Sequence, residues 1–130
     1  MSNKYLLDAS ALLALLQGEQ GSEMVAKNIP FSAVSTVNLA EVASVLNKIG
    51  MPESEIYELF SDIDIVILSY EKESAVATGG IRKLTQSKGL SLGDRACLAT
   101  AKIHKRIALT ADKVWLGFQE DIGVDVELIR

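Results

Sequence analysis

Four acidic residues lie at positions where their carboxylates could act together. They are Asp8, Glu41, Asp94 and Asp112. Two of them directly follow predicted strands, and two lie in the first or second turn of predicted helices. Carboxylates that share a cleft repel one another and lose hydration, and a divalent cation relieves this conflict. Mg²⁺ suits such oxygen ligands, and it could orient a water, assist its deprotonation and neutralise charge on a phosphodiester.

Each acid taken alone also has a purely structural interpretation. Asp8 could cap the helix that follows it, and Asp112 could form an Asx turn. Asp94 lies three residues after Ser91, as in a capping box in which Asp replaces Glu or Gln. Glu41 could be a solvated helix residue. The structural roles are favoured for each acid singly, whereas the set of four favours a metal site.

The elements that must position these acids alternate between strands and helices. The apolar runs that we predict as strands are Tyr5–Leu7, Phe31–Ser35, Ile65–Leu68, Ile107–Leu109 and Val124–Leu128. The predicted helices are Ala11–Leu16, Ser22–Asn28, Thr36 to about Lys48, Pro52–Ser61, Glu71–Ser87 and a segment that Ser91 caps. Alternation of this kind implies right-handed crossovers. We therefore predict a three-layer α/β fold with a mostly parallel central sheet of four to five strands flanked by helices.

Two of the predicted strands differ in their expected burial. Ile65–Leu68 is apolar on both faces, which is typical of a buried parallel strand. Val124–Leu128 alternates apolar residues with Asp125 and Glu127, which predicts a half-exposed edge strand. In open α/β sheets, ligands bind beyond the carboxyl ends of the strands, and Asp8 and Asp112 fall there.

Length and composition favour one soluble domain over residues 1–130. The chain is 48% hydrophobic and 23% charged, an ordinary globular balance. Cys97 is the lone cysteine, so it cannot form an internal disulfide, and with the lone His104 it cannot build a thiolate zinc site. Tyr5–Leu16 superficially resembles a signal-peptide core, but Asp8 interrupts it. We expect a cytoplasmic protein without a membrane span.

The net charge of −4 conceals an uneven distribution of charge along the chain. The segment from Arg82 to Lys113 carries eight bases and two acids, whereas the remainder carries five bases and fifteen acids. Such asymmetry permits a local phosphate-binding face on an acidic protein. The candidates for RNA contact are Arg82, Lys83, Arg95 and Lys113. The alternative interpretation is that these bases form a solvated surface.

Four short sequence motifs together resemble a known family. They are Leu7-Asp8-Ala9-Ser10-Ala11-Leu12, Asn38-Leu39-Ala40-Glu41-Val42, Ser91-Leu92-Gly93-Asp94-Arg95-Ala96 and Leu109-Thr110-Ala111-Asp112. In order and spacing the chain resembles PIN-domain ribonucleases, specifically toxins of the VapC type from toxin–antitoxin pairs. The resemblance covers nearly the whole chain, and the set of four is more specific than any one motif.

This resemblance implies a site, a reaction and partners. Asp8, Glu41, Asp94 and Asp112 would bind Mg²⁺ or Mn²⁺, with Ser10 and Thr110 as supporting hydroxyls. The family implies endonucleolytic RNA cleavage by metal-activated water, a small antitoxin partner and a homodimer. Two alternatives stay open, a PIN-fold interaction module without turnover and a PIN nuclease of RNA maturation without an antitoxin.

Other chemistries fit the residues less well. A haloacid-dehalogenase-like phosphatase would need an aspartate where Ser10 stands, and a phospho-receiver domain would need one where Ser69 stands. A Ser-His-Asp hydrolase would have to use His104, and the sequence has no Gly-x-Ser-x-Gly elbow. We expect His104 at a helix end on the surface, and Cys97 and Trp115 in the core.

Overall fold

The computed structural model describes residues 4–130, and a five-stranded sheet forms its centre. The strands are β1 (Tyr5–Leu7), β2 (Ser32–Ser35), β3 (Val66–Leu68), β4 (Ile107–Thr110) and β5 (Val126–Leu128). Neighbouring strands all pair in parallel, and their order across the sheet is β3-β2-β1-β4-β5. The prediction of an α/β fold with a parallel sheet of four to five strands is confirmed.

Helices connect the strands and cover both faces of the sheet. They are α1 (Ala9–Gln17), α2 (Ser22–Asn28), α3 (Thr36–Lys48), α4 (Glu53–Asp62), α5 (Lys72–Gly80), α6 (Arg82–Thr85), α7 (Leu92–His104) and α8 (Gln119–Ile122). Short 3-10 segments lie at Ile29–Phe31, Gln86–Lys88 and Lys113–Phe118.

The strand order reverses at β1, and this reversal locates the site. The chain runs outward from β1 to β2 and β3, then returns to the other side of β1 to form β4 and β5. Connections therefore leave β1 and β4 in divergent directions, which opens a crevice beyond their carboxyl ends. The Asp8 amide donates to the Leu109 carbonyl at 3.1 Å, so the two strands are still joined where the crevice begins.

Side chains alternate across the sheet and pack into two apolar layers. On one face Leu7, Val34 and Leu109 pack with buried residues of α1 and α3 such as Leu12 and Val42. On the other face, Leu6, Ala33 and Ala108 pack with α7 and with Trp115 and Phe118. Trp115 is fully buried, as is Cys97, and His104 is the exposed last residue of α7. These three expectations are confirmed.

Two expectations about the middle of the chain are wrong. The strand expected to be buried on both faces, β3, is an edge strand, and Val66 and Ile67 are 52% and 46% exposed. An apolar run fixes strand propensity but not the number of neighbouring strands. The single helix expected over Glu71–Ser87 is divided, because α5 ends at the glycine pair and Ile81 leaves helical geometry at φ −105° and ψ 5°. The half-exposed edge strand expected near the carboxyl terminus is present as β5.

In the described part of the chain, no helix is both long and apolar enough to cross a membrane.

Candidate active site

The carboxylate of Asp8 is buried at the carboxyl end of β1, where only 5% of the residue is exposed. Its Oδ1 accepts from the Ser10 hydroxyl at 2.7 Å and from the Ala11 amide at 2.9 Å. Its Oδ2 accepts from the Thr110 hydroxyl at 2.6 Å. The hydrogen bond from the Ala11 amide makes Asp8 the N-cap of α1. The same carboxylate is thus a helix cap and the centre of a buried polar cluster.

Two hydroxyls join Asp8 to the end of β4. Thr110 donates to Asp8 and accepts from the Asp112 amide at 3.1 Å, and Ser10 accepts from the Ala111 amide at 3.0 Å. The Asp112 carboxylate is exposed and accepts from the Val114 amide at 3.0 Å in an Asx turn. Ser10 and Thr110, predicted as supporting hydroxyls, therefore fix the loop that carries Asp112 relative to Asp8.

Asp94 approaches the site from the first turn of α7. Ser91 and Asp94 form a capping box, in which the Ser91 hydroxyl accepts from the Asp94 amide at 3.1 Å and Asp94 Oδ2 accepts from the Ser91 amide at 3.0 Å. The structural interpretation of Asp94 is therefore correct as far as Oδ2 is concerned. The capping box does not use Oδ1, so the residue can serve the helix and a ligand together.

Glu41 is held by two residues that sequence reasoning missed. Asn38 Nδ2 donates to Glu41 Oε1 at 2.7 Å and to the Gly93 carbonyl at 3.2 Å. A Cβ on Gly93 would overlap the Glu41 carboxylate, so glycine is what lets this carboxylate reach α7. Asn38 lies one helical turn before Glu41 on α3 and is 1% exposed. A polar residue at that spacing was the available signal for Asn38, whereas Gly93 has meaning only once α3 and α7 are packed.

Electrostatic effects show that three of the acids are near one another. Burial, with repulsion from Asp94, raises the pKa of Asp8 to about 6, although its three hydrogen bonds act in the opposite direction. Burial also raises the pKa of the Cys97 thiol well above its usual range, and the charges of Asp8, Asp94 and Glu41 add to that effect. The charges of these three carboxylates therefore all act at the buried Cys97 on α7. The Asp112 amide is linked to Asp8 through the Thr110 hydroxyl.

The chemistry of these residues fits a hard divalent cation, but no coordination cage is preformed. Between residues 4 and 130, no three Asp, Glu, His or Cys side chains are grouped closely enough to hold a metal ion. Mg²⁺ commonly keeps several waters and takes only one or two carboxylates directly. The raised pKa of the buried Asp8 indicates negative charge that the protein does not neutralise, and a cation would relieve it. The residues present therefore fit a largely hydrated ion.

The four basic residues predicted to contact RNA lie in different surroundings. Arg82 and Lys83 are exposed on α6, and Lys113 is exposed next to Asp112. Arg95 is only 9% exposed, and its Nη1 donates to the Thr78 carbonyl of α5 at 3.3 Å. We therefore remove Arg95 from the candidate RNA-binding residues, because its side chain packs between α5 and α7.

The sequence model of the PIN domain matches residues 5–119. The chain therefore belongs to the PIN-domain family. The comparison with curated proteins finds no match.

Several solved structures share this fold at low sequence identity. A toxin–antitoxin complex from Klebsiella pneumoniae is 22% identical, with a TM-score of 0.77 and 98% of each chain covered. DNA-bound VapBC from Salmonella typhimurium is 21% identical, with a TM-score of 0.74, covering 99% of this chain and 100% of that one. VapBC-5 from Mycobacterium tuberculosis is 20% identical, with a TM-score of 0.60 and 99% of each chain covered. At such identities the similarity shows the fold.

The buried charge of Asp8 generates a prediction about stability and pH. Its pKa of about 6 in the folded protein exceeds the ordinary 3.8, so the folded state binds this proton more tightly than the unfolded state. The free energy of unfolding of the metal-free protein should therefore fall as pH rises from about 4 to about 6. Asp8→Asn should remove this loss. In EDTA at pH 8 the variant should melt at a higher temperature than the parent, and its free energy of unfolding should be larger by about 1–3 kcal/mol. The difference should close toward pH 4.

Thermal melts in EDTA across this pH range measure the effect. Asp64→Asn, in the exposed loop before β3, is the matched control and should change the melting temperature little at any pH. If Asp8→Asn melts below the parent at every pH, the hydrogen bonds that Asp8 accepts outweigh the cost of its buried charge, and the predicted destabilisation by that charge is contradicted.

The contact between Gly93 and Glu41 generates a second prediction. Alanine is the better helix former, so Gly79→Ala, an open position in α5, should stabilise the fold by up to about 1 kcal/mol. Gly93→Ala should leave the fold intact, because the end of the Glu41 side chain can move aside. It should weaken Mn²⁺ binding about 10-fold or more by displacing that carboxylate. Calorimetric titration with Mn²⁺ measures this, and equal affinities in the two variants would exclude Glu41 from the metal site.

Proposed function

We propose that this chain is a Mg²⁺- or Mn²⁺-dependent endoribonuclease that acts as the toxin of a toxin–antitoxin pair. One observation carries the proposal. In a PIN-domain fold, the carboxylate of Asp8 is buried at the carboxyl end of β1, and burial together with the charge of Asp94 raises its pKa to about 6. A carboxylate with a perturbed pKa at the carboxyl edge of a parallel sheet is typical of a catalytic site.

The proposed roles follow from how each carboxylate is held. Asp8 is rigid, with three hydrogen bonds, and Asp94 keeps Oδ1 outside its capping box, so these two would bind the ion directly. Glu41 and Asp112 would complete the site through waters, accepting protons and orienting the attacking water. A bound Mg²⁺ would supply Lewis acidity and neutralise charge on the scissile phosphodiester. The hydroxyls of Ser10 and Thr110 would hold the loop that carries Asp112 in a fixed position relative to Asp8.

Three exposed cations are proposed to meet the RNA backbone near this site. Lys113 adjoins Asp112, and Arg82 and Lys83 lie on α6. Contacts of this kind release counterions, so RNA binding should weaken as salt concentration rises.

The first test is cleavage of a structured RNA. We expect cleavage with Mg²⁺ or Mn²⁺, its loss in EDTA, and its restoration when the metal is returned. Asp94→Asn should reduce the rate on the order of 10²-fold or more, since Asp94 would bind the ion directly and even residues that only orient metal ligands contribute about 10- to 100-fold. Asp64→Asn should cleave like the parent. Undiminished cleavage in metal-free buffer would contradict the proposed mechanism.

Two alternatives are separated by the same assay. An interaction module that keeps the PIN fold would bind partners without cutting RNA at any metal concentration. The buried, uncompensated charge of Asp8 argues against this alternative, because a chain without turnover gains nothing from it. A PIN nuclease of RNA maturation would cleave RNA but would have no antitoxin.

The second test concerns the toxin role. Expression of the chain alone should arrest growth, and co-expression of the product of an adjacent short gene should relieve the arrest. Asp94→Asn should be harmless at the same protein level, which controls for the burden of expression. Normal growth with intact parent protein accumulating would favour the maturation nuclease.

The remaining parts of the proposal concern assembly and location. We propose one PIN-like domain over residues 1–130, a homodimer in solution and a cytoplasmic location. Sedimentation of the purified chain would measure the oligomeric state.

A further inference from the structure

A cationic pocket lies at the opposite end of α7 from the carboxylates. We call it the α7 C-terminal pocket; its volume is about 240 Å³, and the residues that matter here are Lys102, Lys105, Arg106, Gly123 and Asp125. It opens at the amino ends of β4 and β5, whereas the carboxylates lie at the carboxyl ends. Asp94 and Lys105 are eleven residues apart, which is roughly 16 Å along the helix axis.

The pocket carries positive charge that the protein does not neutralise. Lys102, Lys105 and Arg106 line it together with a single acid, Asp125. In the described part of the chain, the salt bridge present joins Arg130 to Glu19, and none of these three cations forms one. Arg106 is partly buried, which lowers its pKa, and its Nη1 donates to the Tyr5 carbonyl at 3.2 Å. The guanidinium is thus fixed and partly dehydrated without an acidic partner.

The backbone at Lys105 is strained. Lys105 ends α7 with φ 54° and ψ 48°, and among residues 4–130 it is the single non-glycine residue with positive φ. Glycine is preferred at such a position because a Cβ is disfavoured there. This chain uses glycine in that conformation after α1 and α8, at Gly18 and Gly123. A strained residue kept where glycine would serve suggests a function for its side chain.

The second lysine lies near a glycine from another element. A Cβ added to Gly123 would lie 3.9 Å from the Lys102 Cε, so the lysine stem runs near this residue. The stem of a lysine can pack in this way while its ammonium stays at the surface. Lys102 in the last turn of α7, Lys105 at its C-cap and Arg106 just before β4 all line one cavity.

We propose that the α7 C-terminal pocket binds a phosphate group. The source is either a phosphodiester of a polynucleotide or a free phosphate anion, which share the same chemistry. The polynucleotide source rests on the proposed function, because an RNA cut at Asp94 would have to extend along α7 to reach the pocket. Binding at the pocket itself requires neither metal nor cleavage. The competing explanation is that the bases only neutralise the carboxyl end of the α7 dipole.

The first arm of the test measures RNA binding by fluorescence anisotropy with a short labelled single-stranded RNA in EDTA. The pocket variant is Lys102→Gln with Lys105→Gln. The matched control is Lys27→Gln with Lys48→Gln, which removes the same charge from exposed lysines in the last turns of α2 and α3. If two phosphate contacts are lost, the slope of log affinity against log salt should become shallower by about 1.4 in the pocket variant alone.

The second arm measures inorganic phosphate and pyrophosphate by NMR titration. In the parent, the amide of Lys105 and the side-chain signals of Arg106 should shift saturably, and the pocket variant should show no saturation. If the pocket variant loses both RNA affinity and phosphate binding, the result supports a polynucleotide source. If it loses phosphate binding alone, the result supports the free anion. If the pocket and control variants behave alike in both arms, the proposal is overturned. RNA cleavage in Mn²⁺ is measured separately. If the parent protein does not cleave RNA, the proposed function is contradicted, whereas phosphate binding at the pocket is still tested by the NMR titration.

Lys105→Gly distinguishes the phosphate site from the dipole explanation. If the side chain is kept for phosphate, glycine relieves the backbone strain, so the melting temperature should stay equal or rise while phosphate binding weakens. If Lys105 serves only the helix end, the melting temperature should fall while phosphate binding stays at the parent value, and that result would overturn the proposal.

Discussion

The structure is organised around one carboxylate, that of Asp8, which is buried at the carboxyl end of β1. A buried carboxylate is costly unless its oxygens accept hydrogen bonds. Ser10, Ala11 and Thr110 provide them, and these donors come from α1 and from the end of β4. These hydrogen bonds tie the start of α1 and the end of β4 to Asp8, and the Thr110 hydroxyl continues the connection to the Asp112 amide.

Hydrogen bonds alone do not neutralise the negative charge of the carboxylates at this site. Burial and the charge of Asp94 raise the pKa of Asp8 in spite of three donors. The Asn38 amide likewise holds Glu41 without neutralising it, because an amide donates a hydrogen bond but brings no positive charge. Arg95, which follows Asp94 in the chain, does not compensate this charge, because its Nη1 donates to the Thr78 carbonyl of α5. Each carboxylate is positioned precisely while the cluster as a whole keeps its negative charge. Such a combination suits a site completed by a cation from solution.

Structural and chemical roles coincide in the same residues here. Asp8 caps α1, Asp94 belongs to a capping box, and Asp112 forms an Asx turn. A carboxylate has two oxygens, and one suffices for a cap, so the structural role of Asp94 or Asp112 does not exclude a ligand on the other oxygen. Capping also aims these carboxylates, because it fixes each one relative to a helix or turn that is itself packed on the sheet.

Local chemistry in the sequence determined most of the helices and strands and three of the residue roles around the site. The apolar runs ending at Asp8 and shortly before Asp112, and the Ser91 to Asp94 spacing, depend on neighbouring residues, so they could be predicted without the fold. Tertiary packing decided the rest. Gly93 matters because α3 brings Glu41 against it, and Arg95 is buried where α5 packs on α7. Among the described residues, β3 lies at the edge of the sheet, and Val66 and Ile67 are about half exposed there. Periodicity states which residues share a face of a helix or strand, but it does not state which element covers that face. The bases between Arg82 and Lys113 lie at different places on the surface for the same reason. Helix α7 carries Asp94 at one end and Lys105 at the other, and a count of charges along the chain does not show this separation.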